Sequence, residues 1–153
     1  MSLTIAVATE ADAGELFTVQ RAAFVDEARE FGTPFIPPLN ETLDELRAAF
    51  GAVTFCKAMD GTRVIGGGRL RINQHVGWIE RLAIAPDCQG RGVGSAIMHA
   101  LEAGAPASVT RFDLHTAAAR TLNLAFYRRH GFHEVEQIID PTGIVVVHFS
   151  KDR

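Results

Sequence analysis

The densest chemical signal in this 153-residue chain is Gln89-Gly90-Arg91-Gly92-Val93-Gly94-Ser95, where three alternating glycines lie between a strand-like pattern and a helical one. A chain that turns this tightly into a helix aims several backbone N–H groups, and the positive end of the helix dipole, at one spot. Glycine suits the loop because a side chain would hold phosphate oxygens away from the backbone, and because such turns use positive φ. The stretch therefore reads as an anion cradle. A Walker loop is excluded, since Gly94 is followed by Ser95 and Ala96 with no lysine nearby. The dinucleotide fingerprint fails on spacing: glycines fall at 90, 92 and 94, not as G-x-G-x-x-G, and the strand before them belongs to an antiparallel run.

Three further positions stand out. Asn123 and Tyr127 are four residues apart, so a helix stacks them on one face. Glu80 alternates with Trp78, Leu82 and Ile84, which puts a carboxylate on an apolar strand face, where it must find a partner, a bulge or a wet cleft. Cys88 precedes the start of a helix, where a thiolate would be stabilised. No activating histidine adjoins it, and it reads as an incidental thiol. None of the six histidines falls in a ligand spacing such as H-E-x-x-H, so no metal is expected.

The elements that must position these groups follow from hydrophobic periodicity. Leu3 to Ala8 alternates like a strand, and Leu16, Val19, Ala23 and Phe24 form a helical stripe whose polar side carries Asp26, Glu27 and Glu30 and which stops near Gly32. Gly32 to Leu39 is proline-rich and reads as a stiff apolar loop. Thr42 and Glu45 have the form of a capping box for a second short helix. The period then changes to two, predicting an antiparallel meander of Val53 to Met59, Arg63 to Asn73 and Val76 to Ile84. After the glycine loop come a helix to about Gly104, a strand at Arg111 to Thr116, a helix at Thr121 to His130 and a closing hairpin around Asp140 to Gly143. This is an α+β layer architecture in one domain spanning residues 1–153, its mixed, mostly antiparallel sheet of about seven strands flanked by about four helices.

Composition narrows the partners. The net charge is −3, and the basic residues are mostly scattered arginines, which argues against a nucleic-acid footprint. No apolar run approaches the ~20 residues that span a bilayer, and two cysteines cannot build a secreted disulfide framework. A cytoplasmic protein with a small-molecule or short-peptide partner is the expectation.

The residues Gln89, Gly92 and Gly94, with Arg91 and Val93 between them, resemble the Gln/Arg-x-x-Gly-x-Gly/Ala motif of the GNAT N-acyltransferases. Asn123-Leu124-Ala125-Phe126-Tyr127-Arg128-Arg129-His130-Gly131-Phe132 is similar to that family's Asn-x-x-Ala-x-x-Tyr-x-x-x-Gly-Phe pattern, in register at Tyr127, Gly131 and Phe132 with Asn123 and Ala125 closer to the tyrosine, and the order of elements matches over nearly the whole chain. The resemblance implies acetyl transfer from acetyl-CoA to a primary amine of a small molecule, amino acid or peptide. Gln89, Gly90, Arg91, Gly92, Val93, Gly94 and Ser95 would hold the coenzyme pyrophosphate. Leu82, Ala83 and Ile84 would pair with the pantetheine arm or turn an N–H to the thioester oxygen, and Asn123 would steady the same cleft. Tyr127 would be the general acid toward the coenzyme sulfur.

For Glu80 two readings stand: a base acting through water, as a carboxylate at a matching strand position does in some members, or an ion-pair partner of a nearby arginine. The acceptor would enter beside Phe31, Phe35 and Ile36, with Asp26, Glu27 and Glu30 close by. Homodimerisation is an expectation resting on Ile144 to Val147 as an exposed edge. The alternative to an enzyme is a non-catalytic acyl-CoA-binding sensor; a magnesium-dependent nucleotide transferase would want a lysine at the loop.

Overall fold

The computed structural model describes residues 1–153. Its elements are β1 (Leu3–Val7), α1 (Ala13–Phe31), α2 (Pro37–Asn40), α3 (Leu43–Ala49), β2 (Thr54–Asp60), β3 (Arg63–Asn73), β4 (Val76–Ile84), α4 (Val93–Gly104), β5 (Arg111–Ala117), α5 (Thr121–Arg129), β6 (His133–Ile139) and β7 (Val145–Asp152). The strands form one sheet in the order β1-β2-β3-β4-β5-β7-β6. All neighbours are antiparallel except β4 and β5. No helix is long and apolar enough to cross a membrane.

The helix ends follow from local chemistry. Thr42 Oγ1 accepts from the Glu45 N–H at 3.1 Å, while Thr42 N–H donates to Glu45 Oε1 at 3.2 Å, completing the capping box of α3. Helix α1 stops at Gly32, whose φ of +69° turns its N–H back onto the carbonyls of Ala28 and Arg29. The proline-rich segment departs from the loop expectation: Pro37 and Pro38 open the single-turn α2 and bring the helices to five. Prolines are tolerated there because the first-turn N–H groups have no helical acceptor to lose.

Two cores lie on opposite faces of the sheet. Ile97, Met98 and Leu101 of α4 pack with Ile65, Leu70, Phe112, Leu114 and Phe149 on one face. Ala13, Leu16 and Val19 of α1 pack with Leu46, Phe55 and Val64 on the other. The run Gly66-Gly67-Gly68 lets both helices sit close. A Cβ on Gly67 would lie 2.7 Å from Leu16 Cδ2, and one on Gly68 would lie 3.1 Å from both Ile97 Cγ2 and Leu101 Cδ1.

The sheet is split down the middle. Strand β4 pairs with β5 only at Val76, Trp78 and the residue between them, so Glu80 to Ile84 keep β3 as sole neighbour. Within that free half, Arg81 and Leu82 oppose the single residue Gly68, and Arg81 has φ of +54°, which is a β-bulge made without glycine. The extra residue turns Leu82 back toward the α4-side core. At the other end, β7 is an interior strand held by β5 and β6, so Ile144 to Val147 offers no free edge for a dimer. The outer strand is β6, exposed at every residue.

Candidate active site

The split opens a cavity of about 670 Å³. One wall is the free half of β4 with Leu82, Ala83 and Ile84, one end is the glycine loop, and the opposite wall is α5 with Asn123, Phe126 and Tyr127. The far end is closed by Ala23, Phe24, Glu27 and Glu30 of α1.

The loop has the properties of a cradle. Gly90 and Gly92 adopt φ of +75° and +81°, and nothing lies within 4 Å of where their Cβ atoms would be. Left-handed backbone alternating with ordinary backbone turns successive amides the same way. The amides of residues 89–95 donate to no backbone carbonyl, and Gly92, which caps α4, brings no side-chain bond to them. Gln89 Nε2 donates to the Ile84 carbonyl at 3.3 Å, pinning the loop to the end of β4. Gly94 meets α5, since a Cβ there would touch Phe126 at 3.4 Å.

Tyr127 is 9% exposed, and its ring packs in the α4-side core against Phe126, Phe132 and Phe149. The enclosed side-chain atoms without a partner are Arg81 Nη1 and Glu102 Oε2. The phenol, which has no protein hydrogen bond, is not one of them, so its oxygen opens on the cavity. Burial, and then the negative charge of Glu27, push its pKa far above the usual phenol value. It stays a proton donor throughout the physiological range.

A family model described as Acetyltransferase (GNAT) family matches residues 21–132. The chain belongs to the GNAT acetyltransferase family. YjcF of Bacillus subtilis (strain 168), named as an uncharacterized N-acetyltransferase, is 30% identical over 141 residues, covering 90% of this chain and 91% of its own. Among solved structures, the PaiA N-acetyltransferase of Thermoplasma acidophilum in complex with coenzyme A superposes over 100% of both chains with a TM-score of 0.80 at 15% identity. The ribosomal-protein-S18-alanine N-acetyltransferase of Escherichia coli gives 0.78 at 15% identity over 98% of this chain and 93% of its own. These neighbours share the fold, and this GNAT chain is an acyltransferase.

In this GNAT enzyme the structure gathers most of the sequence-predicted residues at one cavity. Leu82, Ala83, Ile84, Gln89, Gly90, Gly92, Val93, Gly94, Ser95, Asn123 and Tyr127 all line it, as does Cys88. Arg91 is exposed on the outside of the loop and does not line it. Glu80 lies apart. Its Oε1 accepts from Arg71 Nε at 2.7 Å on the sheet face that carries Trp78.

The sequence places Glu27 and Glu30 near the acceptor but on the polar side of α1, whereas the structure puts both on the cavity wall. Positions 13, 16, 20, 23, 27 and 30 form one helical stripe, so Glu27 continues the buried side of α1 rather than its polar side. Helical spacing carries this signal, which a stripe traced through apolar residues alone leaves out.

Proposed function

We propose that this enzyme transfers an acetyl group from acetyl-CoA directly to a primary amine of a small molecule, amino acid or peptide. The observation that carries the reading is that a single cavity joins the unpaired amides of residues 89–95, the unpaired half of β4 and the Tyr127 hydroxyl. A CoA thioester has three matching parts in the same order: a diphosphate, an amide-bearing arm and a reactive sulfur.

The amides from Gln89 to Ser95 and the N-terminus of α4 receive the diphosphate, with the Arg91 charge at the rim. The free backbone of Leu82, Ala83 and Ile84 pairs with the pantetheine amides as an added strand would, and Asn123 steadies the arm from α5. The bulge at Arg81 re-aims the N–H groups that follow it, which supports Leu82 or Ala83 as the donor polarising the thioester carbonyl. Tyr127 hydrogen-bonds the sulfur and supplies its proton as the C–S bond breaks. For Glu80, the Arg71 pair supports the structural reading over that of a base.

The test is calorimetric titration of the folded protein with coenzyme A and acetyl-CoA, followed by thiol release from acetyl-CoA over a panel of alkylamines, amino acids and peptides. Saturable binding with turnover on at least one amine is expected. Binding without turnover on any acceptor would favour the sensor reading, and absence of binding would remove the basis of both.

A further inference from the structure

The inward stripe of α1 changes character where the sheet splits. Its first half, with Ala13, Leu16 and Val19, is buried over β2 and β3. Its second half, with Ala23, Phe24, Glu27 and Glu30, hangs over the gap between β4 and β5 and lines the cavity. A carboxylate on the inward side of a helix is costly unless it is paired or used.

Glu30 is paired, accepting from Arg120 Nη1 at 2.9 Å. Glu27, one turn earlier, is half-buried, takes part in no hydrogen bond and feels Arg120 and Glu30 only through space. The other charged or titratable groups on the cavity wall are Tyr127, Arg129 and Cys88. Burial raises the Glu27 pKa above the usual carboxylate range, Arg120 pulls it back, and Glu30 adds to the rise. A base poised nearer neutrality is better matched to an ammonium proton than an ordinary carboxylate.

We propose that Glu27 is the base that deprotonates the acceptor ammonium, its place on the cavity wall kept by the neighbouring Glu30–Arg120 ion pair. The inference rests on reading the cavity as an acetyl-transfer site. The Glu27 carboxylate takes one proton from the ammonium, and the freed nitrogen lone pair forms the C–N bond to the thioester carbon. When the C–S bond breaks its electron pair goes to sulfur, which takes the Tyr127 proton. The second proton lost by nitrogen restores the phenol, and Glu27 returns its proton to water.

The test compares wild type with Glu27→Gln on two acceptors: the primary amine with the highest turnover in the panel above, and its β,β,β-trifluorinated analogue, whose amine is largely neutral at the assay pH. Loss of the base should lower kcat/KM by about 10²–10³ on the parent amine and by less than about fivefold on the fluorinated one. Acetyl-CoA affinity by calorimetry should agree within about twofold, which verifies folding. Asp44→Asn, whose carboxylate is exposed on α3 away from the cavity, is the control and should leave both rates unchanged.

An equal loss on both amines would make Glu27 structural and overturn the proposal. So would a rise in KM alone with kcat preserved, which would make it a docking charge. If wild type turned over no amine at all, the transferase reading would fall and this inference with it; turnover in wild type separates the two failures.

Discussion

The two halves of β4 have the same neighbours in sequence and opposite fates. From Val76 to Trp78 the strand is paired on both sides, and its backbone groups are spent on β3 and β5. From Glu80 to Ile84 it is paired on one side only, inside the molecule rather than at a rim. A sheet edge is normally a hazard, because its free N–H and C=O groups recruit other chains. Here the edge is walled by α1, the glycine loop and α5. The closed half supplies stability, and in the proposed function the open half supplies binding.

The largest effect should come from the cavity that the open half faces. Tyr127→Phe removes the only hydroxyl of this kind in the chain, and turnover should fall by about 10²–10⁴ with acetyl-CoA affinity nearly unchanged, read by single-turnover kinetics and calorimetry. A matching loss of affinity would mean that the ring holds the cleft open rather than moving a proton.

The next test strikes the point where the halves meet. Asp113, 1% exposed and opposite Trp78, accepts from Ser150 Oγ at 2.7 Å and Arg111 Nε at 3.0 Å, and its Oδ2 lies 3.0 Å from His148 Nε2. Burial would raise its pKa, but the hydrogen bonds from Ser150, His148 and Arg111 outweigh that and hold it below the usual value. Asp113→Asn should cost about 2–3 kcal/mol at pH 7, or roughly 5–10 °C in Tm. A depressed carboxylate contributes stability above its unfolded pKa of about 3.9 and loses it as pH falls through the folded one, so the gap between variant and wild type should close below about pH 4.

The smallest effect belongs to the closed half. Gly77→Val drives side-chain atoms into Leu70 and Phe112, 3.0 and 3.1 Å from the added Cβ, and should cost about 1–3 kcal/mol in urea denaturation. If coenzyme affinity per folded molecule held in that variant while Tyr127→Phe lost turnover alone, the division of labour along β4 would be sharpened. If Gly77→Val also abolished binding, the two halves would be one unit.

What the sequence made legible divides along the same line. The glycine loop and the pair Asn123 and Tyr127 were readable because positive φ leaves glycines behind and because a helix converts spacing into adjacency. The meander and the α3 cap were local, and so were visible. The bulge was not, because Arg81 takes a left-handed conformation without the glycine that would advertise it. The interior place of β7 was hidden because strand adjacency there reverses chain order, a long-range choice that no window of residues contains. The inward face of Glu27 was hidden because amphipathicity reads polarity as exposure, whereas a helix that runs off a closed sheet onto a cleft can turn a polar residue inward.

Arg81 carries one more implication. It holds a left-handed backbone that costs about 1–2 kcal/mol and an enclosed Nη1 with no partner, so a selection for heat tolerance would find this position early. Glycine there would relax the chain and empty a site beneath α1, while deleting the residue would straighten the strand. Both routes to a hardier protein would blur the contour of the cleft, so position 81 is where durability and catalytic shape draw on the same few atoms.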